Sequence, residues 1–347
     1  MKTTARALAM LLLGALLFSL GACREEAPQL TFEDIYIVLP GEKPREDPFA
    51  KYNILTGERT PLCPDPVCKH TSEDGCLFTN VMSYGVDGSD VFFVHQGKIY
   101  KDVETGVAVQ PETILHYNYD TGEIRELCTV PGTRFDGIQG GLRFSENYIY
   151  YCRRSGDPRE NLNELWRVSR EGGEPEKTCV KTAWRVEAVV NDLAYCYEAA
   201  GTYTVDLATG EQSWLCRAGD GASFSVQEVE ADGSMILRRG GEGSVTFSRV
   251  RPDGSEETIL HLASYSGASY AGDMIYYSDA NDEAEYAYSI PEGKTYFVCS
   301  HETETYKRVM TLGTCRLGVL LSFYPIDPAT PNTHEERAYL VKDFTPT

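Results

Sequence analysis

Three ungapped copies of one eight-residue pattern constrain this chain more than any other feature. They are TGERTPLC from Thr56, TGEIRELC from Thr121 and TGEQSWLC from Thr209. A looser copy, GGEPEKTC, starts at Gly172, and two degenerate ones, DGSEETIL and TETYKRVM, start at Asp253 and Thr303. Each follows an aromatic or β-branched stretch such as Tyr117-Asn118-Tyr119 or Tyr203-Thr204-Val205. The local physics is a hairpin, because glycine supplies the positive φ of a tight reversal and a neighbouring Asp or Thr can bond the turn backbone. Upstream of most copies lies a second strand signal, as in Val91-Phe92-Phe93-Val94, Tyr148-Ile149-Tyr150-Tyr151 and Met274-Ile275-Tyr276-Tyr277. A recurring unit of about 40 to 50 residues with four strand signals is a β-propeller blade.

The predicted fold class is therefore all-β, a propeller of four-stranded blades, seven by our reading with six the alternative. No amphipathic helix longer than two turns is evident, and the chain holds 22 Tyr, 13 Phe and 31 Gly. Thr31 to Val38 reads as a strand ahead of the first turn, and Leu317 to Phe323 and Arg337 to Phe344 as closing strands. Pairing of the N- and C-terminal strands is expected to close the ring and remove its edges.

The N-terminus carries an address. Lys2 and Arg6 precede an apolar run from Ala7 to Leu20, of signal-peptide length and too short to span a bilayer comfortably. Leu20-Gly21-Ala22-Cys23 follows and resembles the lipobox of bacterial lipoproteins, which implies lipid attachment at Cys23 after cleavage. The expected organisation is a lipoprotein signal peptide over 1–22, a lipidated tether over 23–30 and one propeller over 31–347. The expected location is the extracytoplasmic face of the bacterial membrane. A formal net charge of −20 argues against a nucleic-acid partner, which needs clustered positive charge.

From Tyr52 to Phe78 the sequence reads YNILTGERTPLCPDPVCKHTSEDGCLF. It resembles the opening blade of uncharacterised β-propeller lipoproteins of anaerobic Gram-positive bacteria. In these a Pro-x-Cys-x-His and a later Cys follow the first Thr-Gly turn. They are domain-of-unknown-function propellers likened to the low-density-lipoprotein-receptor type. The resemblance implies fold and surface location and no activity. A second stretch, TVDLATGEQSW from Thr204 to Trp214, is similar to the docking motif of quinoprotein-like propellers, with Thr204 in place of Ala.

One constellation carries chemistry. Cys63, Cys68, His70 and Cys76, in an insert over 63–78, have the ligand set of a structural zinc site, three thiols and an imidazole within 14 residues. A Cys68–Cys76 disulfide with Cys63 in the core, or no bond at all, remains open on sequence alone. The other cysteines read mostly as small buried hydrophobes. Asp279, Asn281, Asp282, Glu283 and Glu285 read as a solvated acidic loop, and the remaining histidines as scattered surface or strand residues.

No catalytic residues and no cofactor beyond possible zinc are singled out. The reading is a non-catalytic propeller binding a protein or glycan, with an envelope assembly scaffold or a polysaccharide-active lyase or hydrolase as alternatives. Strand parity adds a geometric expectation. Connections between strands two and three, and from blade to blade, emerge on one face, and every long insertion belongs to that set. They are Cys63 to Val81, His95 to Glu112, Arg153 to Asn161, Ser278 to Gly293 and Tyr324 to Glu335. Long loops on a rigid scaffold are where binding resides.

Overall fold

In the computed structural model the three best repeats fold as one turn built three times. Asn53, Asn118 and Asp206 each stand three residues before the Thr of Thr-Gly-Glu. The side-chain oxygen of each accepts the backbone N–H of that Thr, at 3.1, 2.9 and 2.7 Å. The Thr hydroxyl in turn accepts the N–H of the following Glu at 3.2 to 3.3 Å. Gly57, Gly122 and Gly210 take φ of 72°, 72° and 75°, a region closed to most side chains.

These turns sit inside a ring of seven antiparallel sheets, spanning residues 36–61, 81–130, 138–182, 185–217, 223–262, 267–300 and 306–340. The structure describes residues 30–347 except 40–48, 72–74, 105, 131–136, 156–161, 183, 218–222, 231, 242, 264–266, 280–282, 303–304 and 326–333. Cys23 and the signal segment lie outside the described residues. Among those described, the first and seventh blades hold three strands, while blades two to six each have a four-strand core. Counted from the Thr-Gly turn, the first sheet lacks strand one and the seventh lacks strand four. Among the described residues, helix is confined to Phe32–Ile35 and a short 3-10 turn, Val341–Asp343.

The second strands read as continuous apolar runs because each blade is covered on both faces. Val91 and Phe93 pack into the seam with blade one, while Phe92 and Val94 on the same strand pack into the seam with blade three. Ile149 and Tyr151 face blade two, while Tyr150 and Cys152 face blade four. Seven apolar clusters result, one for each seam.

The closure corrects the expectation of paired terminal strands. Tyr36–Leu39 pairs only with Ala50–Asn53 of its own blade, and the last strand, Thr345–Pro346, pairs with Lys294–Ser300 of blade six. The seam between blades seven and one is closed by side chains instead. Ile37, Leu39, Tyr52 and Ile54 pack on Cys315, Leu320, Leu312 and Ala338. Buried aliphatic side chains contribute about 1.5 to 3 kcal/mol each, so several of them hold a seam that, among the described residues, carries no ladder of hydrogen bonds.

Three local readings also change. Phe32–Ile35 is a helical turn rather than part of the first strand. The sixth 3–4 turn is at Gly293, where Ala284–Ser289 hairpins into Lys294–Ser300, and Tyr306–Met310 of the pattern from Thr303 belong instead to the first strand of blade seven. Ser278 to Gly293 is accordingly no single long loop, because the strand Ala284–Ser289 lies within it.

A candidate metal centre on the long-loop face

The Cys/His insert leaves the outer strand of blade one after Pro61 and returns at Val81, the first residue of blade two. Its ends are pinned: the Phe49 N–H donates to Phe78 O at 2.8 Å and the Leu62 N–H to Phe49 O at 2.8 Å. Phe78 is buried among Phe49, Phe93 and Tyr117, which fixes the stem of the loop. His70 adopts φ of 56° and Gly75 of 74°, two left-handed residues that fold the short loop back on itself.

That reversal brings all four predicted residues together. One ligand atom from each of Cys63, Cys68, His70 and Cys76 lies within 4.8 Å of every other, and Cys76 Sγ is 4.0 Å from His70 Nδ1. A tetrahedron of Zn–S bonds of about 2.3 Å has edges of about 3.8 Å, so closure on an ion needs shifts of about 1 Å or less. All three cysteines are free thiols, and the Cys68–Cys76 disulfide is not formed.

The backbone is arranged for thiolates. The His70 N–H donates to Cys68 Sγ at 3.3 Å. Backbone groups of Asp65 and Phe78 likewise bond the thiols of Cys63 and Cys76. Each cysteine is thus served from two residues onward, and such bonds favour the charged form. Without an ion, burial dominates: it raises the Cys63 thiol and pushes Cys76 up to about 12. Three soft ligands and one borderline ligand, partly buried, match zinc in donor type and number.

The insert does not stand alone. Cys76 O accepts the hydroxyl of Thr79 at 2.8 Å, and Thr79 O lies 2.9 Å from His95 Nδ1. The Gln96 N–H donates to Asn80 O at 3.0 Å, and the Gln96 side chain reaches Glu112 Oε1 at 3.1 Å. Gln96 and Glu112 flank the root of an arm whose two short strands, Tyr100–Lys101 and Ala108–Val109, pair as a hairpin.

Insert and arm carry a disproportionate share of the exposed large apolar side chains, among them Val67, Leu77, Ile99, Tyr100, Val103 and Val107. Val67 is 85% exposed and Val103 99%. Both segments join strands on the predicted long-loop face, as does the connection holding exposed Trp184.

Other sequence candidates resolve differently. Glu285, read as part of a solvated loop, is 2% exposed; its carboxylate accepts the Ser278 hydroxyl and lies 2.9 Å from His301 Nε2. Asn281 and Asp282 lie outside the described residues. His116 bonds Asp90 at 2.7 Å, His261 bonds Thr246 at 2.9 Å and His334 lies 3.4 Å from Glu336. Among the described residues the Cys/His group is the one cluster with metal-ligand proximity. Cys128, Cys152 and Cys196 are buried as expected, whereas Cys179 is exposed.

A feature missed in the sequence lies at the opposite face. A cavity of about 550 Å³ opens there, lined by Glu33 and Asp34 of the entry helix, Glu228, Glu230, Asp273 and Arg316, among others. Its residues come from five separate parts of the chain, which no local pattern could join.

No family model matches the chain, and no curated protein matches it. Solved structures do. An oligogalacturonate lyase in complex with manganese aligns with a TM-score of 0.57 at 12% identity, covering 92% of this chain and 88% of that one. Oligogalacturonate lyase from Vibrio parahaemolyticus aligns at 0.55 and 12% identity, covering 89% and 92%. At such identity the likeness defines the class alone: this chain is a seven-bladed β-propeller.

Proposed function

We propose that this protein is a lipid-anchored, extracytoplasmic, non-catalytic propeller that binds a protein or glycan partner through its long-loop face. Cys63, Cys68, His70 and Cys76 hold a structural zinc ion there. The observation that carries the reading is the coincidence on one face of the four-ligand cluster and the exposed apolar side chains of the arm, tied by the Thr79–His95 and Asn80–Gln96 bonds. When bound, zinc supplies a rigid crosslink in a loop too short to have a core of its own. Cys23 supplies the anchor, supported by the lipobox and the apolar run before it.

The lyase alternative draws on the shared fold. Against it, the acidic cavity would meet a polyuronate with like charge. The thiol-rich cluster also suits zinc better than manganese, which takes oxygen and imidazole donors.

Binding of the mature protein to a glycan array and to envelope proteins tests the reading, with the arm residues 98–109 replaced by a short Gly-Ser turn as the control. Partner capture that the arm deletion abolishes supports it. Capture that survives the deletion, or turnover of oligogalacturonate by the wild type, overturns it.

A further inference from the structure

We infer that the propeller rests with its turn face toward the phospholipid bilayer that carries its own acyl anchor, and presents the metal knuckle and the arm away from the membrane. The inference rests on the anchored reading above and adds an orientation to it.

The geometry begins at the entry helix, Phe32–Ile35. The Glu33 N–H donates to Gly88 O at 3.3 Å, and the Gly88 N–H donates to Glu33 Oε2 at 2.9 Å. The Ile54 N–H donates to Ile35 O at 3.0 Å and the Leu317 N–H to Asp34 O at 3.4 Å. Gly88 joins strands one and two of blade two, Ile54 begins the Thr-Gly turn of blade one, and Leu317 joins the first two strands of blade seven. All three turns lie on one face, the one opposite the long loops. The chain therefore enters the ring at the turn face, fixed there by three blades.

Chain length then limits the alternatives. Eight residues lie between Cys23 and Phe32, nine steps along the chain, and an extended chain spans at most about 3.3 to 3.6 Å per step, so the tether reaches about 30 Å. To lay the opposite face on the bilayer it would have to cross outer strands, about 4.8 Å apart, and descend a seven-residue strand of about 23 Å. That path uses the whole reach before clearing the arm and the insert, which stand proud of that face. With the turn face down the tether needs no stretching. Charge does not hold the ring there, because the cavity's carboxylates face the bilayer and anionic lipids repel them. The tether does.

The test places a protease recognition sequence in one of two turns of the full-length chain: at Gly106, the tip of the arm, or at Thr121–Gly122 on the turn face. Neither glycine has backbone packed on its Cβ position, so both turns tolerate insertion. Cleavage of each variant in membranes is compared with the same variant carrying Cys23→Ser in solution, which also reports whether the insertion folds. The expected result is that membrane attachment slows cleavage at Thr121–Gly122 at least about fivefold and leaves Gly106 within about twofold. Protection of Gly106, or equal protection of both, overturns the orientation while leaving the anchor intact. A wild-type chain that does not sediment with membranes defeats the anchor itself, and the orientation with it.

Discussion

Gly313 of blade seven faces Ile37 of blade one so closely that a methyl group on the glycine would collide with the isoleucine Cγ2. Two blades that share no strand are drawn together here by the absence of a side chain. Gly313 sits at a register shift of the first strand of blade seven, where an extra residue interrupts the pairing with the second strand.

Gly313→Ala should therefore destabilise the fold by about 1 to 3 kcal/mol, the usual range for overpacking. Equilibrium denaturation measures it. An unchanged midpoint would mean that the seam between blades seven and one contributes little to stability.

The repeated turn makes a graded prediction. Asn118→Ala removes the acceptor of the Thr121 N–H and hydroxyl, bonded at 2.9 and 3.0 Å, and should cost about 1 kcal/mol. Gly122→Ala places a side chain at φ of 72° and should cost about as much. Because both act within one turn, the double variant should lose less than the sum in the same denaturation assay.

Protein purified under reducing conditions should hold about one equivalent of zinc by elemental analysis. Cys76→Ser or His70→Ala should lower that content, and chelation should raise amide exchange over 63–80 and at the arm root while blades three to six keep their protection. Exchange confined to the insert, with the arm root unmoved, would show that the Asn80–Gln96 and His95–Thr79 bonds do not couple the two.

Acid should selectively weaken the edge of blade two. Burial pushes the Asp90 carboxyl up, but hydrogen bonds from His116 and Asn118, both at 2.7 Å, outweigh it and hold it below its ordinary value. A group depressed in the folded state stabilises above its unfolded pKa, about 3.9 for Asp, and loses that contribution as pH falls through the folded value. Asp90→Asn should accordingly be less stable than wild type at neutral pH, with the gap closing as pH drops below about 4. Thermal melts across that range decide it; a constant gap would locate the effect in packing.

What the sequence determined by itself is everything encoded within a few residues. The Thr-Gly-Glu turns, the apolar second strands and the Cys/His insert were legible because a positive φ, two-sided burial and four clustered ligands each leave a local signature. The blade number, seven with six as the alternative, rested on six turn copies and on the strand signals left over at Leu317 to Phe323 and Arg337 to Phe344, and the common face of the long loops on strand parity. Tertiary structure alone decided how the ring closes, because packing of Ile37 on Gly313 depends on shape across a separation of 276 residues. It also decided that Glu285 is buried, since Ser278 and His301 reach it only once three strands are in register. The entry helix reads as strand because it runs directly into the β-branched and aromatic stretch Ile35 to Val38; turns of blades one, two and seven bond its backbone and override that preference. Local chemistry writes the blades, and only contacts between blades say where the chain enters and where the ring is sealed.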